Sequence, residues 1–137
     1  MGKPYFVGED KNNCIKLDLY YTDNFIDDYF TVEGIRLANI QEIIAMKADV
    51  ILKGGRKKDF WDLHELIEEY TLNDIIGLHK KRYPYEHDTK LLIKKLTDFT
   101  AADDDFNPKC LYGKYWEIIK YDLVRFVGLW GDDIEVV

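Results

Sequence analysis

Three features of this sequence predict an α+β fold with the strands first and the helices after. The run Cys14–Tyr21, CIKLDLYY, alternates, so Ile15, Leu17 and Leu19 face one way and Lys16, Asp18 and Tyr20 the other. From Ile40 to Tyr70, IQEIIAMKADVILKGGRKKDFWDLHELIEEY, the apolar residues recur at helical spacing around a glycine pair. No repeat, low-complexity tract or linker interrupts the 137 residues. A single domain is therefore expected over 1–137, strand-rich over 1–38 and helical over 39–137.

Taken in order, residues 4–8 (PYFVG) read as a short strand before a turn at Glu9–Asn13. Cys14–Tyr21 is a half-buried strand with a carboxylate at mid-face. Thr22–Asp28 is a polar connection, and Tyr29–Leu37 gives two further short extended pieces broken near Gly34. A short antiparallel sheet of about three strands accommodates them. About five helices follow. Asn39 is placed as the first N-cap, with Glu42 completing a capping-box-like pair. Gly54 and Gly55 end that helix. The second runs from Arg56 or Lys57 to about Tyr70, and Asn73 caps a third that Pro84 ends. Asp88–Phe99 reads as the fourth and Thr100–Pro108 as an acidic loop. Tyr112–Trp130 is a long last helix with Trp116, Ile119, Leu123, Phe126, Val127 and Trp130 on one wide apolar face.

The composition excludes some classes of function. Hydrophobic residues make up 47% and charged residues 33%, a soluble globular balance. A net charge of −7 gives no global field to draw in nucleic acid, which leaves only local basic patches at Lys53–Lys58 and His79–Arg82. Cys14 and Cys110 have neither metal-ligand spacing nor the numbers for a disulfide framework, and read as reduced thiols of a cytoplasmic protein. No segment reaches the ~18 apolar residues of a membrane span, and no signal core opens the chain.

Charges break the helical pattern at the central stretch. Drawn at about 100° per residue, Ile40, Ile43, Ile44, Val50 and Ile51 form one stripe with Lys47 in its middle. On the next helix Phe60, Leu63, Leu66, Ile67 and Tyr70 form the stripe, with Asp59 inside its arc and Asp62 at its edge. An inward lysine needs a counter-charge, because desolvating an ammonium costs several kcal/mol. Two readings stand: an ion pair with Asp59 or Asp62 that pins the helix hairpin, or a lysine holding an anionic ligand such as a phosphate. Arg56, Lys57 and Lys58 cluster at a helix N-terminus, suited either to solubility or to a phosphate or RNA contact. Asp18 reads as a solvated strand residue or as a metal-ligating or general-base carboxylate. His64, His79 and His87 read as surface residues without metal spacing, and Asp103–Asp105 as a solvated loop.

These residues also carry a resemblance. LANIQEIIAMK, ending at Lys47, followed by GRKKDFWDL, resembles the nucleotidyltransferase-like AbiEii/AbiGii toxin family of type IV toxin–antitoxin and abortive-infection systems. The earlier IKLDL is similar to that family's strand bearing its third carboxylate, and LLIKKLTDFTAADDDFNP and the Trp116–Lys120 helix support the match, which covers roughly 14–127. The resemblance implies a nucleotidyltransferase fold followed by a helical region, and nucleotide transfer from an NTP with Mg2+. It implies Asp18 as the third active-site and metal carboxylate and Lys47 as the phosphate contact, with Lys58, Asp59 and Asp62 completing the helix site and Arg56 beside them. The family's first motif, a glycine-rich turn followed by Asp-x-Asp, has no counterpart in Met1–Leu17.

Two functions are expected from that departure. The chain is the C-terminal part of a nucleotidyltransferase, inactive alone because the Asp-x-Asp is elsewhere, or it is a non-catalytic interaction or assembly module derived from that fold. Either leaves a sheet edge open to a second copy or to a missing N-terminal half, beside an antitoxin as family partner.

Overall fold

The computed structural model describes residues 2–22 and 24–130; the remainder of the domain expected over 1–137 lies outside the described residues. The element order is α+β as expected: β1 (Lys3–Asp10), β2 (Asn13–Leu19), β3 (Phe30–Val32) and β4 (Ile35–Leu37), then α1 (Ile40–Leu52), α2 (Lys57–Leu66), α3 (Leu72–Arg82), α4 (Thr89–Lys95) and α5 (Trp116–Trp130). The strands form two separate antiparallel hairpins, β1–β2 and β3–β4, where one sheet was expected. Each is closed by local turn chemistry. Asp10 Oδ1 accepts the N–H groups of Asn12 and Asn13 at 2.8 and 2.9 Å, an Asx-type turn. Glu33 and Gly34 both take positive φ, 50° and 80°, which a two-residue hairpin loop between Val32 and Ile35 requires.

The helices hold the core. Ile44, Ile51, Phe60, Leu63, Leu72, Ile75, Leu92, Leu96, Ile119 and Leu123 are all sealed from solvent. At one end Phe60 meets Phe99 and Trp116 edge to face, with ring centroids 5.2 and 5.9 Å apart, and Trp116 stacks on Trp61 at 6.2 Å. The apolar face expected on α5 is the buried one, although that helix starts at Trp116 and not at Tyr112. On α1 the buried face is rotated from the expected stripe. Ile44, Ala45, Ala48, Ile51 and Leu52 point inward with Glu42 and Asp49, while Ile40, Ile43 and Val50 are exposed. The stripe expected on α2 faces the core, with Phe60 and Leu63 buried and Leu66, Ile67 and Tyr70 packed against it, but the helix ends at Leu66 and not at Tyr70. Thr71, not Asn73, caps α3: its hydroxyl accepts from Asp74 N–H at 3.1 Å, and Asp74 accepts from Thr71 N–H at 2.8 Å.

A buried ion pair ties the strand-bearing half to the helices. Asn39 caps α1 as expected, accepting from Glu42 N–H at 3.1 Å. The Glu42 carboxylate does not return to the cap. It lies 3.0 Å from the Arg82 guanidinium at the end of α3, with both side chains almost wholly enclosed. Its other oxygen accepts from Asp27 N–H at 2.9 Å, while Arg82 donates to the Asn24 carbonyl at 3.1 Å and the Thr22 hydroxyl at 2.9 Å. The loop between the hairpins is thereby pinned across α1 and α3. The β1–β2 hairpin itself is exposed along nearly its whole length, with Cys14 alone partly covered. The half-buried strand expected at Cys14–Tyr21 is therefore a strand but not half-buried: among the described residues no element packs on Ile15, Leu17 and Leu19.

Candidate functional site

The site lies where α1 turns into α2. Gly54 takes φ 106°, open to glycine at little cost, and a Cβ on Gly55 would stand 3.1 Å from the Ile51 backbone. That close turn brings the last half of α1 alongside the first turn of α2. Lys47 Nζ sits 3.2 Å from Asp59 Oδ1 and 2.7 Å from Asp62 Oδ2. The lysine and the two aspartates that broke the sequence pattern therefore meet. Asp59 also caps α2, accepting from Arg56 N–H at 2.9 Å with its second oxygen, where the free amide ends of the helix favour an anion. Its side chain is 5% exposed, that of Lys47 27% and that of Asp62 55%, so the cluster grades from core to rim. Burial pulls the Lys47 pKa down, but the hydrogen bond and charge of Asp62, and then Asp59, outweigh it and hold the ammonium above its ordinary range.

The basic cluster at the start of α2 divides three ways. Arg56 grips Asp105 through Nε and Nη2 at 3.1 and 2.9 Å. That grip is the main reason the Asp105 carboxyl falls to about 2. Lys57 is buried, donating to Asn107 Oδ1 at 3.1 Å and lying over the Trp116 ring. Lys58 is exposed and makes no salt bridge among the described residues. The acidic loop is correspondingly not simply solvated. Asp105 anchors Arg56, and Asp103 accepts from Trp116 Nε1 at 2.8 Å and Lys120 Nζ at 3.0 Å. These carboxylates fasten the loop and α5 to α2.

Two other expectations are corrected. His79 and His87 are not surface residues in the sense expected: His79 is fully enclosed, with Nε2 3.0 Å from Asp49 Oδ1 and Nδ1 2.7 Å from His87 Nδ1. His87 Nε2 in turn meets the Thr89 hydroxyl at 2.7 Å. Asp49 gave no sequence signal beyond being a charge on α1, and its second oxygen binds Lys53 at 2.8 Å. His64 is half-buried, paired with Asp122 at 2.7 Å. With His79 and Arg82 inside and Lys53 neutralised by Asp49 and Glu86, the basic patches expected for nucleic acid are mostly spent on internal contacts.

Asp18 lies on β2 with its side chain half-exposed and pairs with Lys16 at 3.3 Å. No hydrogen bond or ion pair links it to the Lys47 cluster among the described residues. Among those residues no group of three or more His, Cys, Asp or Glu side chains is arranged to hold a metal ion. Both cysteines are free. Among the described residues no helix is long and apolar enough to cross a membrane.

Comparison with known proteins adds the lineage. The chain is 33% identical over 93 residues to a protein of Aquifex aeolicus (strain VF5) described as "Uncharacterized protein aq_aa25", a match covering 64% of this chain and 42% of the relative. This chain thus spans less than half the length of that relative. No solved structure matches it. A family model described as "Nucleotidyl transferase AbiEii toxin, Type IV TA system" matches residues 9–127, from the first hairpin through most of α5. The Lys47 cluster and Asp18 both fall within that span, and the chain belongs to the AbiEii nucleotidyl transferase toxin family of type IV toxin–antitoxin systems.

Proposed function

We propose that this chain is the C-terminal part of a nucleotidyltransferase-like toxin and is catalytically incomplete by itself. The family activity would be Mg2+-dependent transfer of a nucleotide from an NTP, and the family partner an antitoxin. In this reading Lys47 contacts the nucleotide phosphates, Lys58 adds positive charge at the start of α2, Arg56 adds its own only when released from Asp105, and Asp18 supplies one carboxylate of the metal site. The observation that carries it is the Lys47 ammonium, kept charged and fixed at the α1–α2 turn yet still 27% exposed. Two carboxylates against one ammonium leave that cluster at −1, which repels a phosphate until Asp62, the exposed partner, turns away.

The donor set does not fit a magnesium pair. Asp18 stands with Lys16 and without a second carboxylate beside it, and a metal pair needs several oxygen ligands. In this reading the chain alone carries no metal-dependent step, and the other carboxylates would come from a separate segment. The test is calorimetric titration of Mg-ATP and Mg-GTP into the chain and into Lys47→Ala, with a label-transfer assay in parallel. Binding that Lys47→Ala loses, without label transfer, is expected. Absent or identical binding removes the phosphate role, and label transfer by the chain alone overturns the incompleteness.

The second reading, a non-catalytic assembly module, is favoured by the β1–β2 hairpin. Phe6, Val7, Ile15 and Leu19 are all more than half exposed there.

A further inference from the structure

A two-stranded hairpin has two outer edges, and here they are not equivalent. Along β1, Pro4 has no N–H to offer, and the register shifts between Gly8 and Asp10. Proline and a bulge are devices that blunt an edge. Strand β2 has neither, no further strand among the described residues pairs with it, and Ile15, Leu17 and Leu19 remain 74%, 47% and 53% exposed. It is an open template for strand addition.

The sequence of β2 selects its own occupant. If two copies pair antiparallel about a two-fold axis normal to the sheet, facing residues must share a face, so only registers centred on a residue keep Ile15, Leu17 and Leu19 together. Centring on Lys16 sets lysine against lysine, and centring on Asp18 sets aspartate against aspartate. Centring on Leu17 sets Lys16 against Asp18 twice by symmetry, Ile15 against Leu19 twice, and Leu17 against itself. Opposite charges directly across a strand pair stabilise it and like charges oppose it. Lys16 and Asp18 are half-exposed and among the described residues pair with each other at 3.3 Å, an exposed contact that can give way to a facing strand.

We propose that β2 pairs antiparallel with β2 of a second copy of this chain in the register centred on Leu17, giving a symmetric four-stranded sheet. The pairing goes beyond the nucleotidyltransferase reading and does not depend on it. It sets Asp18 against the second copy's Lys16 in the chain on its own, whereas the metal role of Asp18 belongs to the chain joined by the segment that carries the other carboxylates.

Sedimentation velocity over a wide concentration range tests the register through charge reversal. Lys16→Glu and Asp18→Lys should each weaken the dimer about tenfold, because each sets two like-charged pairs face to face. The double variant K16E/D18K should recover wild-type association, and mixing the two single variants should give a heterodimer. None of these changes touches the helical core, so an unchanged helical circular dichroism spectrum confirms that each variant is folded. A wild-type chain that stays monomeric throughout, or a dimer indifferent to both reversals, overturns the proposal. The measurement contains no nucleotide and keeps Lys47, so its failure leaves the phosphate reading standing, and the converse holds.

Discussion

Replacing Lys47 by alanine removes the counter-charge from a carboxylate almost wholly shut off from water. Asp59 is 5% exposed and keeps one contact, the Arg56 N–H on its second oxygen. Breaking a fully buried pair from one side costs about 3–5 kcal/mol. Lys47 is itself 27% exposed and the surviving cap still serves half of the carboxylate, so the expected loss is about 2 kcal/mol. For a domain of this length that lowers Tm by ~6–10 °C. Asp62→Asn removes the shorter contact, 2.7 Å, but from a side chain 55% exposed, and should cost less than about 1 kcal/mol. Burial and not distance thus decides which aspartate matters. Urea unfolding followed by tryptophan fluorescence measures both, and a double-mutant cycle of Lys47→Met with Asp59→Asn isolates the pair. A Lys47→Ala loss under about 0.5 kcal/mol, or a larger loss for Asp62→Asn, would refute the reasoning.

Three further outcomes follow from the same geometry. Glu42→Gln leaves Arg82 buried without its anion and should cost about 3 kcal/mol, with faster amide exchange in the loop around Asn24 and Asp27; a loss below about 1 kcal/mol would mean that water reaches the pair. Burial, then the charges of His79 and Lys80, hold His87 below the ordinary histidine range against Asp88. The folded chain then binds that proton less readily than the unfolded one, so the stabilisation is intact above a pH of about 6.5 and is lost as pH falls toward the folded value. The urea midpoint should drop as pH falls below about 6.5, and His87→Asn should flatten that drop; an unchanged slope would exclude His87 as its source. Gly8→Ala would drive a Cβ into the Asn13 carbonyl oxygen and the Cys14 backbone across the hairpin. Amide protection in β1–β2 should vanish while the Tm of the helices holds, since that hairpin contributes no residue to the core; a lower Tm would show that the two are coupled.

The sequence by itself determined the features that neighbouring residues encode. Alternation at Cys14–Leu19, the Asn39 cap, the glycine turn at Gly54 and the apolar face of α5 each depend on contacts within a few positions, so periodicity reveals them. Asp59 was legible for the same reason, as a charge inside the apolar stripe of α2. Lys47 was singled out by a stripe that is itself rotated off the buried face, and it meets Asp59 because the glycine turn lays α1 alongside α2. Tertiary structure alone decided where the other charges went. Arg56 meets Asp105 across 49 positions, Lys57 meets Asn107 across 50, and His79 meets Asp49 across 30. No local pattern marks such pairs, so a basic cluster, an acidic loop and a histidine all read as solvated surface. Glu42 shows the limit most clearly. Its position three residues after Asn39 suits a cap, but a buried guanidinium at the end of α3 is the stronger partner, and only the packing of α1 on α3 brings the two together.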